Sequence, residues 1–465
     1  MVDSAWCESA ELALTLAILP PKAMFALLLT GWNRFDRNVR LHFLNVGLFT
    51  LTLDGGIYTV IFNLYMLRLG FGSEWVGTVN AAGMLAFALA SLPAGRMGER
   101  WGYRRMVRAG TAMSVTGACV AVCTEFVPHS AQVIVMGFAV ILVFVGLAAF
   151  FVNMAPYMIA FTDTHSRTSA FAVQSALGSL FAFVGSLIGG NLPTLAAAVT
   201  GTSLQSPLPY RITLLFVPLL LLLALRLSSL MRDPTATPIE PELVPEPLTE
   251  SLPASLSEPS SQFNPKPIVA NSFFWLIAFF AWVRFLQVAF IGSTATFFNV
   301  YMDTQLAVST ATIGFIQAAT RLLGIPVALL MPALSKRFGD AGVCIGASLL
   351  TAGCALPIAF ASSWWLAGLG YILVGMSTTM RYSTFMVFSM ARTPARLRGS
   401  CNGAQEMLAG LSFALVAQIG GALIAPLGYS FVFLSTAAVT VLGTFILWIY
   451  VRRTTPSLVI ALQKS

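Results

Sequence analysis

Charge is what this chain has least of. Of its 465 residues only 9% are charged, 57% are hydrophobic, and the mean hydropathy is +0.81. A soluble domain carries about 25% charged residues, so burying this much apolar surface calls for lipid as solvent. Cysteine is scarce too. Cys7, Cys119, Cys123, Cys344, Cys354 and Cys401 show neither metal-ligand spacing nor a disulfide framework, and Cys119 and Cys123 on one helix face read as packing residues. The net charge of +8 is divided among separate loops instead of one patch, which argues against nucleic acid as a partner. No Gly-Lys-[Ser/Thr] phosphate loop follows a strand, so ATP is not the expected energy source. His42, His129 and His165 lie at or beyond the ends of apolar stretches, and no nucleophile–base pair or metal set shares a depth. An enzyme is therefore not expected, nor a metal or cofactor. Asp3, Glu8 and Glu11 exclude the basic start of a secretory leader.

What the chain does contain is a repeat. Phe-Asn-Leu-Tyr-Met at 62–66 returns as Phe-Asn-Val-Tyr-Met at 298–302. After one inserted residue, Glu99-Arg100-Trp101-Gly102 faces Lys336-Arg337-Phe338-Gly339. Further on, Arg167, Ser169, Gln174, Leu177, Leu180 and Ile188-Gly189-Gly190 face Arg398, Ser400, Gln405, Leu408, Leu411 and Ile419-Gly420-Gly421. Two copies of one membrane unit, with a site between them at mid-depth, is how many secondary transporters are built.

Twelve apolar stretches are long enough to cross about 30 Å of hydrocarbon, near 41–66, 75–97, 106–127, 131–160, 168–191, 211–231, 272–301, 309–333, 342–361, 364–390, 399–424 and 430–450. The basic residues alternate along them. Arg34, Arg37 and Arg40 precede span one; Arg96, Arg100, Arg104, Arg105 and Arg108 follow span two. Arg167, Arg232, Lys336, Arg337, Arg392, Arg396, Arg398, Arg452, Arg453 and Lys464 mark the same side, while the opposite loops hold only Arg68 and Arg211. The positive-inside rule puts both termini and the central loop in the cytoplasm, as in a multi-pass protein of the cell membrane. The organisation expected is an N-terminal bundle at 33–231, a flexible Pro-, Ser- and Glu-rich linker at 232–271, a C-terminal bundle at 272–454 and a tail at 455–465. Residues 1–32 are apolar but interrupted by Pro20-Pro21-Lys22. They read as a surface segment or an over-long start ahead of Met24, with a thirteenth span as the alternative.

Six plus six spans around a long central loop resemble the major facilitator superfamily. Gly95-Arg96-Met97-Gly98-Glu99-Arg100-Trp101-Gly102-Tyr103-Arg104-Arg105 is similar to that superfamily's loop between spans two and three, Gly-x-x-x-Asp-Arg-x-Gly-Arg-Arg. The resemblance implies an all-α membrane protein of twelve transmembrane helices in two pseudo-symmetric six-helix bundles. It also implies a gating role for Gly95, Glu99, Arg100, Gly102, Arg104 and Arg105. Gly95 would let two helices approach and Gly102 would supply the turn. Glu99 would pair with Arg104, Arg105 or the start of span eleven near Ser400. There are departures: Glu99 replaces Asp, Lys336 takes the acidic position of the second copy, and Ser186 stands where Gly-Pro-x-x-Gly-Gly of the antiporter signature has Pro. Residues 131–160 contain no Arg, so the Arg-x-x-Gln-Gly of many drug:proton antiporters is missing.

Five ionisable residues fall well inside spans: Asp54, Arg284, Arg321, Arg381 and Glu406. Each costs about 2.5–3.5 kcal/mol at a helix centre, so they should face each other or a wet cavity. Helical spacing groups them with Thr50 and Tyr58, with Gln287, with Gln317, with Ser377 and Thr384, and with Asn402. Similar depth suggests an Arg381–Glu406 pair, which leaves Asp54 facing Arg284 and Arg321 and a positive surplus suited to an anionic or zwitterionic substrate. Asp54 is also the candidate proton carrier, burial favouring its neutral form and the arginines opposing it. Asn63 and Asn299 read as helix-end amides or substrate contacts, and Gln174 and Gln405 as interhelical glue or cavity residues. The function expected is secondary active transport of a small organic solute by alternating access, as proton-coupled efflux. The alternatives are uptake or exchange of an organic anion, a lipid flippase, or a membrane sensor that does not transport. The partners expected are a small-molecule substrate, protons and the lipid bilayer, for a chain acting as a monomer.

Overall fold

The computed structural model describes residues 35–162, 164–232, 267–394 and 397–462, and these are helical with no strand. Residues 1–32 and nearly all of the 232–271 linker lie outside them. In chain order the helices are α1 (Arg37–Thr52), α2 (Ile57–Arg68), α3 (Ser73–Trp101), α4 (Tyr103–Cys123), α5 (His129–Ile159), α6 (Thr164–Thr200) and α7 (Leu208–Leu230) in the first half. The second half holds α8 (Pro267–Gln287), α9 (Ala289–Thr304), α10 (Thr310–Gly353), the short α11 (Ala355–Ala359), α12 (Trp364–Ala391) and α13 (Arg398–Leu462). Helix α8 begins ahead of the expected span, and α13 runs on into the expected tail.

Among the described residues ten helical stretches are long and apolar enough to cross a membrane. One of them, Cys401–Thr454, has 54 residues, about 80 Å of helix, enough for two crossings folded at Gly428 (φ +81°). With the 28-residue α12, the architecture is consistent with twelve. Leu89, Leu92, Ile134, Phe138, Leu195, Leu219, Trp275 and Phe315 stay exposed, as a lipid-facing belt requires.

Spans one and seven are not continuous. Span one breaks at residues 53–56 between α1 and α2, where Gly55 takes φ +82°. Span seven breaks at Val288 between α8 and α9. The break in span one overturns the helical stripe Thr50–Asp54–Tyr58, because the chain between them is not helical. Ser186 on α6 explains how the break is tolerated: its hydroxyl donates to the freed Gly55 carbonyl at 2.6 Å.

The repeat is visible in the backbone. Gly102 (φ +96°) and its equivalent Gly339 (φ +71°) make matching turns. Gly70 (φ +90°) faces Ala307, which keeps the left-handed conformation at φ +50° although it has a side chain.

The halves touch at one end and on to mid-depth, where Gly410 of α13 meets Ala88 of α3. Call that end the pentapeptide end, since it holds both copies, and the other the basic end. At the pentapeptide end one apolar core serves both halves, uniting Phe62, Tyr65 and Met66 with Phe298, Tyr301 and Met302. At the basic end each half has its own core, around Val39, Phe43 and Met158 in one and Phe280, Phe385 and Leu447 in the other.

Two helix crossings complete this seal. A methyl on Gly77 of α3 would sit 2.9 Å from the Cα of Gly421 on α13, and one on Gly314 of α10 would sit 2.6 Å from the Cα of Gly190 on α6. Gly77 is the repeat equivalent of Gly314, and Gly190 of Gly421, so one small-residue contact is used twice.

Candidate functional site

The pentapeptide asparagines bind across the seam. Asn63 donates to the Thr296 carbonyl at 2.8 Å, and Asn299 to those of Thr59 and Val60 at 3.0 and 3.1 Å. Each is oriented from behind by an amide of its own half: Asn80 donates to Asn63 at 2.9 Å and Gln317 to Asn299 at 2.6 Å. Asn80 and Gln317 are themselves repeat equivalents, so four amides form a clasp with approximate two-fold symmetry. Beyond it, Arg68 grips Asp303 with two nitrogens, at 2.6 and 2.8 Å, and also reaches the Leu204 carbonyl at 2.9 Å. Tyr210 meets Thr310 at 3.1 Å.

Behind this seal lie two cavities that share Phe413. One, about 290 Å³, is lined by Arg284, Val288, Ile291, Thr378, Thr379, Arg381, Tyr382 and Ser383 as well as Phe413. The other, about 150 Å³, touches both halves through Tyr58, Asn63, Asn80, Met84, Phe144 and Thr296.

The expected charge pairing is corrected here. Glu406 lies 3.6 Å from Arg284, not against Arg381. Depth along a helix gives both arginines a similar claim; the packing of α8 on α13 brings Glu406 to Arg284. Arg284 also lies over the Tyr382 ring, 4.8 Å from its centroid. Arg381 is 1% exposed, and its Nε and Nη1 have no hydrogen-bond partner. Arg284 Nη1, Thr378 Oγ1 and both side-chain heteroatoms of Gln287 are likewise buried without one. Polar hydrogens shielded in this way are expensive unless a ligand meets them.

Asp54 and Arg321 belong to a separate place. Asp54 is half-buried at the break of span one and has no ion pair among the described residues. The Arg321 guanidinium lies against Gly55, where any side chain would collide with it. Tyr58 stacks on Phe62 at 4.4 Å and lines the smaller cavity.

Gln174 and Gln405 line neither cavity. Gln174 meets buried His42 at 3.1 Å, and Gln405 donates to Ser389 at 3.2 Å, so each ties helices within its own half.

The pattern of the Major Facilitator Superfamily matches residues 44–417 and again 285–464. The chain belongs to this superfamily. Solved structures agree on the fold. A nucleoside transporter, NupG, is 14% identical with a TM-score of 0.62, covering 88% of this chain and 97% of its own. A D-xylose-proton symporter is 13% identical with a TM-score of 0.65, covering 88% and 96%. A POT peptide transporter in complex with sulfate is 13% identical with a TM-score of 0.67, covering 90% and 94%.

The superfamily loop between spans two and three is built differently from its expected contacts. Gly102 does make the turn, with φ +96°. Close helix approach falls at Gly98, which packs on Asn153, while a methyl on Gly95 would meet only Val152, at 3.4 Å. Arg104 donates to the Ser229 carbonyl at 2.9 Å, at the negative end of α7. Glu99, Arg100 and Arg105 are exposed, and Glu99 forms no ion pair with Arg104 or Arg105 among the described residues.

Asp303, Asn80, Thr378, Tyr382 and Phe413 were not among the expected site residues. For Asp303 and Asn80 a signal existed: Asp303 directly follows one pentapeptide, Arg68 stands two residues after the other, and Asn80 is the repeat equivalent of Gln317. For Phe413, one phenylalanine among 35, there was none.

Proposed function

We propose that this protein is a proton-coupled secondary transporter that moves a small organic solute by alternating access, acting as a monomer in the cell membrane with both termini in the cytoplasm. The observation that carries this reading is the seal at one end, made by repeat-related residues, over a cavity lined by two buried arginines, of which Arg381 has no ion-pair partner among the described residues. With the basic loops in the cytoplasm, the structure is the inward-facing state. A duplicated clasp favours a rocking motion, since the same contact made twice can be released together and replaced by a matching set at the other end. Glu99 and the exposed arginines of the basic end are the groups available for that second set.

Asp54 is the proposed proton carrier. It is the intramembrane carboxylate left without a guanidinium within pairing distance, whereas Glu406 is held by Arg284. The Arg321 guanidinium of the other half lies against neighbouring Gly55, so a proton on Asp54 would act close to the contact between halves.

The test is solute flux in sealed vesicles under an imposed pH gradient, wild type against Asp54→Asn. The proposal expects gradient-driven flux in the wild type, reduced at least tenfold in Asp54→Asn, which should retain exchange. The gradient polarity that accelerates flux distinguishes efflux from symport. Full gradient-driven flux in Asp54→Asn would remove Asp54 as the carrier, and solute binding without any flux would make the protein a sensor.

A further inference from the structure

We infer that the larger cavity is a binding site for a small organic monoanion, a carboxylate on a compact apolar or aromatic body. This rests on the transport reading and names its substrate class. Charge comes first. Arg284 and Arg381 line the cavity and Glu406 offsets only the first, so one positive charge is left over and a monoanion makes the site neutral.

Geometry agrees. A guanidinium presents two forks of parallel donors, Nη1 with Nη2 and Nε with Nη2, and a carboxylate accepts either with both oxygens. In Arg381, Nε and Nη1, one donor of each fork, lack a partner although the residue is 99% enclosed. The Thr378 hydroxyl, also partnerless, adds a neutral donor on the same wall.

The remainder of the lining describes the other end of the ligand. Val288, Ile291, Tyr382 and Phe413 are apolar or aromatic, and Thr379 and Ser383 add two further hydroxyls. The volume, about 290 Å³, falls at the small end of the range for ligand sites, roughly 300–1,000 Å³. A peptide or a long acyl chain is too large. A cationic body would gain from Glu406 alone and would face Arg381 uncompensated.

The test is isothermal titration of the purified full chain in detergent with benzoate, benzamide and benzylamine, which share one ring and differ in charge. Benzoate should bind at least tenfold more tightly than the other two. Arg381→Lys, which keeps the charge but loses the fork, should weaken benzoate at least tenfold, and Arg381→Met should abolish its binding. Phe413→Ala, which leaves every charge in place, should weaken it severalfold. Equal or tighter binding of benzamide or benzylamine, undiminished benzoate binding in Arg381→Met, or no binding of any of the three would overturn the inference. The two readings fail separately: benzylamine carried across vesicles would refute the anion site and keep transport, while benzoate bound but never carried would do the reverse.

Discussion

Replacing Arg381 by methionine should make the protein more stable. The native residue is 1% exposed, and two of its N–H groups lack partners. Each such group costs about 1–3 kcal/mol, and an arginine at mid-membrane costs about 2.5–3.5 kcal/mol on insertion scales. These describe one penalty in two ways and are not summed. Methionine keeps an unbranched stem and adapts to irregular space, so we subtract about 1 kcal/mol for imperfect packing. The expected gain is about 2 kcal/mol. Scaled by chain length, that is roughly a 2 °C rise in thermal midpoint, which intrinsic fluorescence in detergent resolves. Glu406→Ala should move the other way. It strips Arg284, 6% exposed, of its partner, and a buried charge left alone destabilises. A midpoint that falls in Arg381→Met would refute the reasoning, because it would show that the guanidinium is satisfied in the folded protein.

The other predictions concern the seal and the cap. Gly77→Leu and Gly314→Leu act at equivalent crossings, so each should disfavour closure of the pentapeptide end, with both raising thiol accessibility of a cysteine placed at Leu204 by similar factors; a response from one alone would break the symmetry argument. Arg68→Ala and Asp303→Ala should each open the same end, and the double variant should be no more open than either single one; additive effects would mean the two-point contact is not the latch. Asp36 caps α1, accepting from the Asn38 backbone at 3.1 Å, and Asp36→Ala should cost about 1 kcal/mol. That backbone hydrogen bond, first among its influences, holds the Asp36 carboxyl below the usual carboxylate range. Its contribution is therefore complete above the unfolded carboxyl's titration and fades only as pH falls through the lowered one. Equal stability of Asp36→Ala and wild type at neutral pH would remove the cap from the account.

The architecture was legible because a membrane chain has few ways to satisfy its backbone and because this one states its plan twice. The pentapeptides at 62–66 and 298–302 singled out Asn63 and Asn299, but as helix-end amides or substrate contacts; that they bind across the seam came from the packing of the two halves. The break in span one was legible as well, since Asp54-Gly55-Gly56 is a turn signal, yet hydropathy averaged over the span concealed it. Pairing was harder. Arg381 and Glu406 share a depth, but depth along a helix does not fix which helix lies beside which face. Only the packing of α8 against α13 gave Glu406 to Arg284. Gln174 and Gln405 show the same limit: an amide in an apolar helix announces a hydrogen bond, and only the neighbouring helix says whether it is structural or lines a cavity.

Benzoate flux in proteoliposomes, wild type beside Arg381→Met, tests the central claim most directly. The account predicts saturable benzoate movement in the wild type and none in Arg381→Met, although the variant is the more stable protein. Undiminished flux in Arg381→Met would contradict it.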